Sequence, residues 1–158
     1  MKYCLKCGQL LKRRMVEHQE VPYCECCDKL YFPRYNVAVS MIVRLQDEVL
    51  LIHQYQKPFP ILVAGYVSQG EALEAACIRE LKEETNLDAI KVTFLRSQYY
   101  ETSQTLMVNF EVLVNHPNFI LNEEVEDAKF YPLEDALKVM KPTSLAYYFM
   151  EEYLKKRG

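Results

Sequence analysis

Gly65-Tyr66-Val67-Ser68-Gln69-Gly70-Glu71-Ala72-Leu73-Glu74-Ala75-Ala76-Cys77-Ile78-Arg79-Glu80-Leu81-Lys82-Glu83-Glu84-Thr85-Asn86-Leu87 is the stretch on which the reading of this chain turns. Leu73, Cys77 and Leu81 recur every four residues as an apolar stripe, which predicts a helix from Gly70 to Thr85. At about 100° per residue, Glu80, Glu83 and Glu84 then share one side of it. Like charges at this spacing cost a helix roughly a few tenths of a kcal/mol each, and the dipole disfavours anions near the C-terminal end. Two readings follow. Either this is a solvated acidic face paired with Arg79 and Lys82, or the carboxylates gather a divalent cation, since magnesium and manganese take oxygen ligands.

Outward from this stretch, Val37–Leu45 and Val49–Gln56 read as strands joined across Gln46-Asp47-Glu48, and Ile61–Ala64 as a short buried strand ending at Gly65. Val92–Tyr100 and Leu106–Val114 follow as strands, and Lys129-Phe130-Tyr131 as a last short one. A short helix from Pro132 and a closing one from Ser144 to Lys155 complete the pattern. Interleaved strands and helices predict an α/β layered domain.

Residues 1–34 have a different texture, rich in cysteine and poor in periodicity. Cys4-x2-Cys7, sixteen residues, then Cys24-x2-Cys27 is the spacing of a zinc ribbon, in which two turns offer four thiolates to one tetrahedral ion. So short a segment buries too little surface to fold unaided, and zinc supplies stability it otherwise lacks. Cys26 is a spare thiol, because Cys24 alone has the two-residue spacing to Cys27. Reduced cysteines without metal, or a redox pair, are the competing readings.

Composition bounds the rest. The net charge of −3 draws the chain to neither nucleic acid nor an anionic membrane, and no apolar run reaches the length of a membrane span. No signal-like run follows Met1, so a cytoplasmic protein is expected, where cysteines serve metals rather than disulfides.

The quoted stretch resembles the Nudix box, Gly-x5-Glu-x7-Arg-Glu-U-x-Glu-Glu-x-Gly-U, where U is a bulky aliphatic; only the last glycine differs, standing here as Asn86. Asparagine is the side chain most tolerant of the left-handed conformation such a position takes. The resemblance extends further. The ribbon, Phe32-Pro33-Arg34, Val37-Ala38-Val39 and Leu62-Val63-Ala64-Gly65-Tyr66-Val67 are similar to the zinc-ribbon NADH pyrophosphatase branch. Ser97-Gln98, Thr105 and Leu106-Met107 keep the frame of that branch's Ser-Gln-Pro-Trp-Pro-Phe-Pro-x-Ser motif, while its centre is replaced by Tyr99 to Gln104.

The resemblance implies a Nudix α/β/α sandwich with a mixed sheet over 35–158, preceded by a zinc ribbon over 1–34. It implies Glu80 and Glu84 as ligands of Mg2+ or Mn2+, and Glu83 as a further ligand or the base that deprotonates water. Arg79 orients the glutamates, Glu71 fixes the loop, and Gly65 lets backbone approach substrate or metal. Glu124 matches the late glutamate of many relatives, with Glu123 an adjacent competitor and a plain acidic loop the alternative. Phe32, Gln98, Tyr99, Tyr100 and Thr105, with Gly65, are the implied substrate contacts; strand packing is the other reading of the two tyrosines, and packing of ribbon on domain that of Phe32. The implied reaction splits a nucleoside-diphosphate link, giving AMP and nicotinamide mononucleotide from NADH. The altered motif leaves room for another derivative such as ADP-ribose, and a nucleotide sensor without catalysis is the rival class. A small-molecule nucleotide is the expected partner, RNA only if it carries a nicotinamide dinucleotide cap, and a homodimer is implied by the branch.

Overall fold

The computed structural model describes all 158 residues, folded as two compact units, Met1–Tyr35 and Asn36–Gly158.

The first unit is a three-stranded antiparallel sheet of β1 (Lys12–Val16), β2 (Gln19–Cys24) and β3 (Lys29–Leu30), in that order. Glu17 and His18 make the β1–β2 turn with φ of 45° and 71°, the paired left-handed geometry of a tight hairpin reached without glycine or asparagine. The chain therefore showed no turn signal there, and these strands were not expected from the sequence. Cys4, Cys24 and Tyr31 form the buried centre, with Leu11 and Cys27 packed against them.

The second unit is organised around β4 (Asn36–Leu45). One edge of β4 pairs in parallel with β8 (Thr105–Leu113), from Asn36 opposite Thr105 to Arg44 opposite Leu113. Two strands share the other edge: β5 (Glu48–His53) pairs at its C-terminal end and β6 (Val63–Tyr66) at its N-terminal end. With β7 (Lys91–Tyr100) and β9 (Asp127–Pro132) the order is β7-β8-β4-β5-β9, a mixed sheet. Alternation along β4 decides the layers. Val39, Met41 and Val43 face one core with Ala76, Cys77 and Leu81 of α1 (Leu73–Thr85). Ile42 faces the other, with Leu133 and Ala136 of α2 (Leu133–Val139) and Phe149, Met150 and Tyr153 of α3 (Leu145–Arg157). Both faces of the sheet are thus covered by helices, and an α/β/α sandwich results. Arg44, buried at the end of β4, donates to Glu111 at 3.1 Å and to the Tyr153 hydroxyl at 2.9 Å, tying α3 to the sheet.

Boundaries differ from the sequence reading in three informative places. β5 stops at His53, because Gln54 turns inward and Tyr55 and Gln56 take left-handed φ of 58° and 52°. β6 begins at Val63, opposite Met41, and Ile61 contributes only an isolated bridge to Ile52. α1 starts at Leu73 rather than Gly70, whose φ of 83° is not helical.

Candidate active site

α1 carries the acidic turn into place, and its two ends fix the neighbouring loops. At the C-terminal end Asn86 has φ 57° and donates its N–H to the Lys82 carbonyl, the left-handed stop expected of it. The segment after β8 then wraps over this end. Ile120 N–H donates to the Thr85 carbonyl and Asn122 N–H to that of Glu84, while the Asn122 side-chain oxygen accepts from the Glu124 N–H at 3.0 Å. By these bonds Glu124 arrives beside a helix some forty residues earlier in the chain.

Arg79 is the hub of the acidic turn. Its Nε and Nη2 grip both oxygens of Glu71 at 2.7 and 2.9 Å, and Nη1 donates to Glu80 at 2.6 Å and to Glu83 at 3.2 Å. Nη2 also reaches the Tyr66 carbonyl at 3.0 Å. Glu71 in turn accepts the Ser68 N–H, so the loop before the helix is stitched to its middle. The guanidinium holds the Glu71 carboxyl at about 2, well below the usual range.

Glu84 differs from its neighbours because it is buried. Desolvation pushes its carboxyl up to about 7, the charges of Glu80, Glu124 and Glu83 push the same way, and the Gln54 amide opposes them. Of the adjacent candidates Glu123 and Glu124, Glu124 is the one among the leading charges acting on Glu84. Gln54 Nε2 donates to Glu84 Oε1 at 2.7 Å, and Glu84 Oε2 is buried with no hydrogen-bond partner. An orphaned buried carboxylate oxygen costs about 1–3 kcal/mol or more. A hard divalent cation would relieve both that cost and the mutual repulsion, and an all-carboxylate donor set suits one. The residues present therefore fit a hard divalent cation.

Gly65 lies against the Glu80 carboxylate. A Cβ built there would stand 2.0 Å from Glu80 Cδ, so only glycine leaves that carboxyl where it is.

The other expected contacts fall elsewhere. Gln98, Tyr99 and Tyr100 are exposed at the end of β7 and, with Thr143, Ser144, Leu145 and Tyr148, line an open cavity of about 410 Å³ that includes none of the carboxylates. Thr105 is buried, and its hydroxyl bonds Ser103 across the turn between β7 and β8, so it braces the hairpin. Phe32 belongs to the first unit, where its ring is exposed.

In that first unit the sulfurs of Cys4, Cys7, Cys24 and Cys27 lie within 4.8 Å of one another, with Cys4–Cys27 at 3.9 Å and Cys7–Cys24 at 3.6 Å. A tetrahedron built on Zn–S bonds of about 2.3 Å has edges of roughly 3.8 Å. The residue after each pair, Gly8 and Asp28, takes a left-handed φ, of 74° and 47°, so both turns close alike. Cys26 is exposed outside the cluster. The arrangement is compatible with a zinc ribbon.

Reading the sequence missed Gln54, Tyr55, Tyr66 and Glu126. Tyr55 and Tyr66 are exposed near the carboxylates, and Glu126 accepts the Gln56 N–H at 2.6 Å. The one available signal was a glutamine closing an otherwise apolar strand.

A family model described as NUDIX domain matches residues 34–152. The chain is 26% identical over 159 residues to a protein of Pseudomonas fluorescens named NAD-capped RNA hydrolase NudC, and 28% identical over 164 residues to one of the same name from Stutzerimonas stutzeri. Each alignment covers 99% of this chain and 57% of the relative, so the chain spans little more than half their length. Among solved structures, a NUDIX hydrolase from Nitrosomonas europaea superposes with a TM-score of 0.72 at 20% identity, over 99% of this chain and 92% of that one. The NUDIX domain of Shewanella oneidensis NrtR, solved in complex with ADP ribose, gives 0.67 at 20% identity, over 86% and 94%. These likenesses show the fold: a mixed sheet between helices.

Proposed function

The chain belongs to the NUDIX domain family, and from that premise we propose that it hydrolyses the diphosphate link of a nucleoside-diphosphate derivative, NADH or NAD+ first among them, using Mg2+ or Mn2+. Residues 1–34 are assigned to a structural zinc ribbon held by Cys4, Cys7, Cys24 and Cys27, and 35–158 to the hydrolase domain. The observation that carries the reading is Glu84 Oε2, a buried oxygen without a donor beside three further carboxylates.

Glu80, Glu84 and Glu124 are the proposed ligands, with Glu83 a further ligand or the base. Divalent ions held there neutralise phosphate charge and acidify a water. The chain's own residues do the rest. Gln54 fixes one oxygen of Glu84 and leaves the other to the site. Arg79 keeps Glu80 and Glu83 on one side of α1. Glu83 is the most exposed of Arg79's partners and is held by a single 3.2 Å bond, which leaves it mobile enough to take the proton of the attacking water. The water oxygen bonds to one phosphorus as the bridging P–O bond breaks, and two phosphate monoesters leave. From NADH these are AMP and reduced nicotinamide mononucleotide. The altered Ser97–Thr105 stretch favours including ADP-ribose in the substrate panel, and the names of the curated relatives favour including NAD-capped RNA.

The test is a panel of NADH, NAD+, ADP-ribose and NAD-capped RNA, incubated with purified chain and Mn2+ and followed by release of phosphate monoester. The expected result is cleavage of at least one, reduced roughly a hundredfold or more by Glu83→Gln. Binding without product across the panel overturns the assignment, and an undiminished Glu83→Gln enzyme overturns the role given to the glutamate cluster.

A further inference from the structure

Cys4 Sγ, one of the four clustered sulfurs of the first unit, has two polar neighbours besides the other cysteines. The Lys6 N–H donates to it at 3.4 Å, and the Tyr31 hydroxyl lies 3.0 Å away, from a residue 27 positions along the chain. Tyr31 N–H donates to the Pro22 carbonyl at 2.8 Å, which continues the pairing of β2 with β3 by one residue and fixes where the ring enters the unit. That ring is 8% exposed and packs with Cys4 and Cys24.

A phenol buried so deeply needs a partner for its hydroxyl. Here the partner is a sulfur, and the direction of the bond depends on what the sulfur carries. A free thiol could donate or accept. A zinc-bound thiolate has no proton to give, so beside the metal the phenol donates. Charge makes that bond matter. Four thiolates outweigh the charge of one Zn2+ and leave the site negative. A hydroxyl proton aimed at one sulfur offsets part of the excess, and hydrogen bonds to ionised acceptors are stronger than neutral ones. The Lys29 ammonium, 5.5 Å from the centre of the Tyr31 ring, adds positive charge to the surroundings of the same residue.

We propose that Tyr31 is a positioning residue of the zinc site, its hydroxyl donating to the zinc-bound Cys4 thiolate and so retarding loss of the metal. The inference rests on the assigned ribbon and extends it beyond its four ligands. A phenylalanine ring would fill the same space, so what the tyrosine adds is the donor alone. The four sulfurs are thereby unequal. Cys7 is exposed and is the one a competing chelator meets first, whereas Cys4, buried and hydrogen-bonded, is the last to let go.

The experiment uses the full chain and reads the metal site rather than turnover. Tyr31→Phe keeps the ring and removes the donor. Competition with a chromophoric chelator should show zinc affinity lowered about tenfold or more, with faster release. In the cobalt-loaded variant the sulfur-to-metal charge-transfer band should move to longer wavelength, because a thiolate relieved of its hydrogen bond gives up electron density more readily. A residue kept only for packing would not move that band. Wild type loaded with a spin-active cadmium isotope should show a coupling between the metal and the Tyr31 hydroxyl proton, carried through Cys4 Sγ, and this measurement needs no variant. An unmoved cobalt band, a Tyr31→Phe zinc affinity within about threefold of wild type, or no coupling to that proton overturns the inference. A wild type that takes up neither zinc nor cobalt overturns the ribbon assignment, and this inference with it.

Discussion

Gln54 Nε2 donates to Glu84 Oε1 across 2.7 Å, and both side chains are about 3% exposed, so a loop residue and a helix residue thirty positions apart share one buried polar contact. The amide favours the charged form of the carboxylate, against burial and against three like charges. Gln54→Leu keeps the bulk and removes the donor. The expected outcome is Mn2+ affinity lowered about tenfold near neutral pH, with the acid limb of the pH–rate profile moved upward, because Glu84 then holds its proton to higher pH. Manganese titration followed by electron paramagnetic resonance gives the first and kcat against pH the second.

Glu84 also makes stability depend on pH. Its folded pKa, about 7, lies above the ordinary 4.5, so the native state binds the proton more tightly than the unfolded one. The stabilisation is fully present below 4.5 and lost as pH rises through 7, on the order of 3 kcal/mol in all. In buffer without magnesium or manganese the melting temperature should therefore fall between pH 5 and pH 8. Glu84→Gln should flatten that fall, and added Mn2+ at pH 8 should reverse it; scanning calorimetry reads all three.

Gly65→Ala separates fold from activity. The new methyl meets the far end of the Glu80 side chain rather than backbone, so the carboxyl can swing aside. The protein should melt within a few degrees of wild type while turnover falls about tenfold or more, since Glu80 loses its place beside Arg79. Steady-state kinetics and circular dichroism on one preparation check both halves.

The cysteine cluster predicts a contrast between neighbours. Cys27→Ser removes a member of the four-sulfur group, whereas Cys26→Ser changes an exposed thiol outside it. Elemental analysis should find about one zinc per chain in wild type and Cys26→Ser, and a substantial loss in Cys27→Ser. Equal loss in both variants would count against the assigned ligand set.

Where chemistry lies in consecutive residues, this sequence was readable. The helix of Arg79 to Glu84, the turn at Asn86 and the paired cysteines each carry their own spacing, and the apolar run from Val37 to Leu45 reads as a strand. Relationships closed by tertiary contact were less so. Nothing local distinguishes Glu124 from Glu123; only across the tertiary contact does Glu124 stand among the leading charges acting on Glu84. Gln54 continues the strand pattern in sequence, and only its contact with Glu84 sets it apart. Thr105 matched a motif position by type, yet its hydroxyl serves the adjacent turn.

The parallel pairing of β4 with β8 sets an order on assembly during translation. Residues 36–45 emerge from the ribosome long before residues 105–113, their neighbours along an entire edge, and the segment bearing Glu124 comes later still. A nascent chain stopped short of that segment carries the whole acidic helix without the Ile120 and Asn122 bonds that close over its C-terminal end.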